Sequence, residues 1–212
     1  MSRARFITLE GIEGAGKGSN IAFIAEWLAA RGIDSVRTRE PGGTELGEAL
    51  REMLLGFKHL EMAADTELLL MFAARAQHLH EIIRPALAAG RWVLCDRFTD
   101  ASYAYQGHGR QLGEETIGAL EQLVQRGLKP DLTLLLDVPV ELGLERAGQR
   151  SAPDRFEREQ RAFFERVRAG YLVLAEREPE RIRVIDASRP LAEVQRAIGT
   201  CLEEIVAREG KG

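Results

Sequence analysis

The sequence predicts an α/β chain, with a five-stranded parallel sheet carrying helices on both faces. Five short runs are apolar or β-branched, the stretches between them repeat at helical spacing, and the first run ends in a glycine loop that opens a helix. Strands covered on both faces read as short continuous apolar runs. Phe6–Leu9, Ser35–Thr38, Trp92–Cys95, Leu132–Leu136 and Ile182–Ile185 fit that description.

The intervening helices follow in order. Ile21, Ile24 and Leu28 mark the first, and Leu46, Leu50 and Leu54 the second. A long helix is expected from Asp65, as its cap, to Ala89, closing at Gly90. Pro130-Asp131 and Pro139 bracket the fourth strand. A last helix starts after Pro190 and frays at Gly210-Lys211-Gly212. With no internal repeat and no Ser/Gly-rich linker, residues 1–212 are expected to form one domain.

Composition narrows the function classes. Of 212 residues 45% are hydrophobic and 29% charged, which excludes disordered and collagen-like chains. The formal net charge of -4 provides no field to hold a polyanion, so no nucleic-acid partner is expected. Only Lys17, Lys58, Lys129 and Lys211 are lysines among 29 basic residues, and the remainder are arginine, the side chain suited to forked recognition of phosphate. Cys95 and Cys201 lack metal-ligand spacing, and Cys95 lies in an apolar run where a buried free thiol is expected. The amino-terminal stretch lacks the apolar core of a signal peptide and no run is long enough to span a bilayer. A cytoplasmic location without a membrane partner is the expectation.

Phe6 to Glu10 leads into Gly11-Ile12-Glu13-Gly14-Ala15-Gly16-Lys17, which satisfies G-x-x-x-x-G-K between a strand and a helix. Glycines there let successive N–H groups curl around an anion, while Lys17 and the helix start add positive charge. The loop is a P-loop, with a nucleotide phosphate as its expected guest, and Gly11 through Ser19 form the candidate cofactor-binding segment. One position departs from the motif: Gly18 stands where a Ser or Thr hydroxyl would bind Mg²⁺, and Ser19 follows it. A nucleotide binder without turnover therefore stays open as an alternative. A guanine-nucleotide switch does not, because Asn20 is the only asparagine and no N-K-x-D motif exists. Asp96-Arg97, at the end of the third strand, face the same crevice as the P-loop, since strand carboxyl ends line the ligand site of such sheets.

Six segments together resemble the bacterial thymidylate kinases, of the nucleoside monophosphate kinase group. These are LEGIEGAGK, TREPGGT, MFAAR, DRFTDASYAYQGHGR, PDLTLLLDVP and the arginine-rich stretch Arg146 to Arg155, in an order that covers nearly the whole chain. The resemblance implies a three-layer α/β/α P-loop NTPase fold with a short arginine-rich lid at about 146–156. It implies transfer of the ATP γ-phosphoryl to dTMP, giving dTDP for dTTP synthesis, with Mg²⁺ as cofactor and a homodimer as the assembly. Carried over by position, Lys17 and the backbone of Gly14 to Gly18 hold the ATP phosphates, and Glu13 meets the acceptor's 3′-hydroxyl. Arg97 binds the dTMP phosphate, with Asp96 helping to organise the metal. Arg75, Ser102 and Gln106 read the thymine edge, Tyr105 crowds a ribose 2′-hydroxyl, and Glu40, Pro41 and Arg51 wall the acceptor pocket. Arg146, Arg150 and Arg155 are the lid arginines. The base-stacking position falls to Met71, with Phe72 next to it. At 100° per residue these lie about 40° and about 60° to either side of Arg75, so the choice between them stays open.

The dTMP phosphate is already an anion near neutral pH, so the reaction implied needs no general base. Alignment and charge neutralisation are what the protein must supply.

Overall fold

The computed structural model describes residues 4–56, 61–149, 155–157 and 159–207. All five expected strands form, each extending one residue past its apolar run: β1 Phe6–Glu10, β2 Ser35–Arg39, β3 Trp92–Asp96, β4 Leu132–Asp137 and β5 Ile182–Asp186. The added residue is charged in every case. Carboxyl ends of the strands turn from the core toward the ligand edge of the sheet, so the hydrogen-bonded ladder outlasts the hydrophobic pattern.

Pairing is parallel throughout, in the order β2-β3-β1-β4-β5. The three inner strands are buried almost to the last residue, whereas the edge strands SVRTR and IRVID are half open and correspondingly more polar. Alternate residues serve opposite faces. Phe6, Val93 and Cys95 pack with Ile83 and Phe98 on one side, and Ile7, Leu9 and Leu94 pack with Ile24, Phe164 and Ile198 on the other.

The helices are α1 Lys17–Ala29, α2 Glu45–Gly56, α3 Ala64–His78, α4 Arg84–Ala88, α5 Thr99–Ser102, α6 Glu114–Gln125, α7 Val140–Gly148, α8 Arg161–Arg177 and α9 Leu191–Ala207. The single helix expected over Asp65–Ala89 is in fact three pieces, because a π-helical turn at Leu79–Ile83 separates α3 from α4. Pro85 offers a reason: it has no N–H to give the carbonyl four residues back and crowds it, and widening the preceding turn absorbs the misfit. Asp65 lies in the first turn of α3 and is not its cap, which is Ala63 with no side-chain bond. The stretch does close at Gly90, with φ 78°. Helix α9 begins after Pro190 as expected, and Gly210 to Gly212 lie outside the described residues.

Connections leaving β1 and β3 run in opposite directions across the sheet, which opens a crevice at their carboxyl ends. Two packing features set its floor. Gly14 of the P-loop has φ 72°, and a Cβ there would fall 1.8 Å from the Gly143 carbonyl oxygen of α7, so the loop is seated where only glycine fits. Asp100 of α5 is gripped by Arg181 through two bonds of 2.7 and 2.9 Å and receives the Thr133 hydroxyl at 3.0 Å. This fixes the segment that follows β3 against the sheet.

Candidate active site

A cavity of about 380 Å³ fills the crevice. One end is made by Glu13, Gly16, Lys17 and Gly18 of the P-loop with Asp96 and Arg97, and the other by Arg75, Ser102, Gln106 and Met71. Lys17 folds back so that Nζ donates to the carbonyls of Gly11 and Ile12 at 2.9 and 3.1 Å. Burial, then the nearby Arg97, pushes its ammonium down to about 8, against the opposing pull of Asp96, Glu13 and Glu10. Gly11, Ile12 and Ala15 lie under the loop and are buried, and Ser19 is exposed on α1; none of the four is on the cavity wall, although each was expected in the cofactor-binding segment.

Arg97 adopts a left-handed backbone, φ 68°, which is uncommon for a residue with a side chain. Its N–H donates to Leu9 O at 3.0 Å, and its carbonyl accepts from Cys95 Sγ at 3.0 Å. The guanidinium donates through Nη2 to Glu13 Oε1 at 3.0 Å and through Nη1 to the Tyr171 hydroxyl at 3.2 Å, and it lies 4.7 Å from the Tyr105 ring centre. Tyr105 donates to the other oxygen of Glu13 at 2.6 Å. Glu13, Arg97 and Tyr105, distant in sequence, are thus one hydrogen-bonded unit.

Behind this unit stands Glu10, which nothing in the sequence marks as functional. It is fully buried at the end of β1, where Oε1 accepts the Phe98 N–H at 2.6 Å and Oε2 accepts the Tyr171 hydroxyl at 2.7 Å. One carboxyl therefore holds both the backbone next to Arg97 and the tyrosine that holds the Arg97 side chain. The available signal was an ionisable residue in the strand FITLE; Tyr171, on α8, had none.

At the far end, Glu40 is buried and bonds Arg75 Nε at 2.7 Å and His78 Nδ1 at 2.9 Å. Arg75 also donates to Ser102 Oγ and to the Phe98 carbonyl, both at 3.1 Å. Met71 is on the cavity wall, whereas Phe72 is buried with Leu68 and Ile117 and lies 4.6 Å beneath the Arg75 guanidinium. The pair left open by helical geometry is separated by packing. Tyr105 and Gln106 belong to a second π-helical segment, Tyr103–Gly109. Pro41 and Arg51 face the cavity from the side, joined by an Arg51 bond to the Pro41 carbonyl at 2.9 Å.

Of the arginine-rich stretch, Arg146 and Arg155 are described, and neither lines the cavity. Arg146 donates to the Ala187 carbonyl at 2.9 Å, and Arg155 donates to the Leu54 carbonyl at 2.9 Å and pairs with Glu67. Arg150 lies outside the described residues. Phe156 and Glu157, next to Arg155, do reach the cavity wall.

The chemistry of the site fits a divalent cation in one respect. Asp96 Oδ1 is buried and takes no hydrogen bond from the described residues. No group of three or more His, Cys, Asp or Glu that could hold a metal exists among those residues. A hard cation here would take Asp96 as its protein ligand and complete its shell with phosphate oxygens and water, a pattern usual for Mg²⁺.

Burial, and then the neighbouring Asp100, raise Glu10 from the ordinary 4.5 to about 8, against the lowering influence of Arg97 and of the bonds from Tyr171 and Phe98. A carboxyl raised on folding binds its proton more tightly in the folded state. Its stabilising share is complete below about 4.5, declines as pH rises and is gone above about 8. Glu10→Gln cannot titrate, so its melting temperature should fall less between pH 5 and pH 8.5 than that of the wild type. Parallel pH profiles for the two proteins would contradict this.

Comparison with known proteins agrees with this geometry. Residues 9–198 match the family model described as Thymidylate kinase. A thymidylate kinase of Alkalilimnicola ehrlichii is 60% identical over 98% of this chain and 96% of its own length. One from Methylococcus capsulatus is 59% identical over 98% and 99%. Among solved structures, thymidylate kinase from Ehrlichia chaffeensis superposes with a TM-score of 0.77 at 35% identity, covering 94% of this chain and 98% of that one. The chain belongs to the thymidylate kinase family.

Proposed function

We propose that this protein transfers the γ-phosphoryl group of ATP to dTMP, giving dTDP for dTTP synthesis. The observation that carries the reading is one cavity joining a P-loop at one end to a polar pocket walled by Arg75, Ser102 and Gln106 at the other, with Arg97 between them. Lys17 and the loop amides take the ATP phosphates, and Arg97 takes the phosphate of dTMP. Glu13, fixed by Arg97 and Tyr105, receives the 3′-hydroxyl, and the Tyr105 ring crowds the place of a 2′-hydroxyl. Arg75, Ser102 and Gln106 meet the thymine edge, and Met71 packs on its face, a contact that thioethers make well. Glu40, Pro41 and Arg51 shape the wall.

The mechanism is one of alignment. The acceptor oxygen is already anionic, so no residue has to remove a proton from it. Arg97 and Lys17 neutralise charge on the two substrates and hold them in line, where intramolecular-like geometry lowers the barrier. Asp96 would hold Mg²⁺, which when bound neutralises charge on the ATP phosphates. Residues 1–212 act as one kinase domain with residues 146–156 as its lid. Arg146 and Arg155 reach ATP only by leaving Ala187 and Glu67.

Assembly and location belong to the same proposal. Leu46 and Met53 on α2 and Leu69 on α3, a helix packed against α2, are 52%, 44% and 57% exposed, apolar surface suited to a second copy of the chain in a homodimer. No helix among the described residues is long and apolar enough to cross a membrane, and the setting proposed is the cytoplasm.

Initial rates with ATP, Mg²⁺ and a panel of monophosphates test the assignment. dTMP should be fastest, with dUMP lower by about 10- to 200-fold, the worth of one methyl group in an apolar pocket. Faster turnover of a purine monophosphate would overturn it.

Gly18 generates a second expectation. It is the second residue of α1 and lines the cavity, and a Cβ added to it meets nothing within 4 Å. Ser19 is rotated by about 100° and is off the wall. Gly18→Ser and Gly18→Thr should lower the Mg²⁺ concentration for half-maximal rate without altering acceptor preference. Superimposable magnesium titrations would contradict that.

A further inference from the structure

Gln106 is 1% exposed and lines the acceptor end of the cavity. Its Nε2 donates to Glu67 Oε1 at 2.7 Å. Glu67 is fully buried on α3 and is also bonded by Arg110 Nε, at 3.1 Å to Oε2, and by the guanidinium of Arg155. A carboxylate accepts hydrogen bonds and donates none, and Arg110 keeps Glu67 paired even when Arg155 leaves it for ATP. That settles which way the Gln106 amide is turned: its NH₂ must face Glu67. Gln106 Oε1, which has no hydrogen-bond partner among the described residues, is left for the cavity.

We propose that Glu67 is a specificity-determining positioning residue, which holds the Gln106 carbonyl oxygen toward the cavity so that the site takes a pyrimidine with a ring N3–H and rejects one whose N3 is an acceptor. The proposal rests on the dTMP reading given above and adds how the base is chosen. Thymine and uracil present a donor at N3 beside a carbonyl. Cytosine presents a lone pair at N3 beside an amino group, so against Gln106 Oε1 it sets two acceptors face to face. Arg75 sharpens the choice, since a guanidinium only donates, and Glu40, Ser102 and the Phe98 carbonyl lock it in place. The two buried carboxylates, Glu40 and Glu67, thus set one donor, Arg75, and one acceptor, Gln106, on the wall of the same cavity.

Glu67→Gln reverses the logic. Its amide oxygen must turn to Arg110 and Arg155, its NH₂ then faces Gln106, and Gln106 flips to present its own NH₂ to the cavity. We expect the ratio of kcat/KM for dTMP over dCMP to fall by at least about tenfold. The dTMP over dUMP ratio should hold, because those two bases share the N3 edge. Glu67→Asp, which keeps an acceptor-only partner, should retain the dTMP over dCMP ratio even at lower absolute rate. Gln106→Leu leaves Glu67 with both arginines, and it should lose the same discrimination; it decides the matter should Glu67→Gln not fold. Equal loss for all three acceptors in Glu67→Gln, or an unchanged dTMP over dCMP ratio in Gln106→Leu, overturns the proposal. A wild-type protein that does not phosphorylate dTMP would instead overturn the reading on which the proposal rests.

Discussion

Everything at this site turns on how Arg97 is held. A non-glycine residue in the left-handed region costs on the order of 1–3 kcal/mol and persists only where its surroundings over-determine it. Here they do: the Arg97 N–H is taken by β1, its carbonyl by Cys95, its guanidinium by Glu13 and Tyr171, and the next N–H by Glu10. The result is a guanidinium on the cavity wall with two of its donors already committed, one to Glu13 of the P-loop and one to Tyr171 behind it. Glu13 and Tyr105 inherit their positions from it, and the P-loop inherits the position of Glu13.

The far end is organised by the same device. Glu40 and Glu67 are almost completely buried and each serves two or more cationic or polar partners. Such buried pairs contribute little net stability, since desolvation offsets much of their attraction, but breaking one leaves an uncompensated charge in the interior. Their value is rigidity, because each polar group in the pocket has its hydrogen-bonding direction decided before a substrate enters. Under the proposed function, Arg75 and Gln106 are ready-made complements that the base has to fit.

Much of this was legible in the sequence for a physical reason. The three inner strands are apolar on both faces and the phosphate loop is contiguous, so local pattern carries both. What was not legible depends on contacts between distant residues. Glu10 and Tyr171 are 161 positions apart and meet only when α8 packs on the sheet. Met71 and Phe72 are separated by which one faces Leu68 and Ile117, a matter of packing that helical angles alone leave open. The break in the long helix follows from Pro85, whose effect was visible in principle but was outweighed by the apolar periodicity around it. Arg146 and Arg155 share one arginine-rich stretch, yet their partners are distant in sequence: Ala187, just past β5, and Glu67 on α3.

The proposed role of Arg97, aligning the acceptor and ordering Glu13, depends on a forked, fixed guanidinium. Steady-state kinetics of Arg97→Lys with dTMP, on protein verified as folded, test it most directly. An ammonium keeps the charge but cannot bond two oxygens in a planar fork. kcat should fall on the order of a hundredfold, comparable to removing one preorganised donor, and the KM for dTMP should rise. Unchanged kcat and KM at a native fold would contradict it and leave Arg97 as a residue of the scaffold.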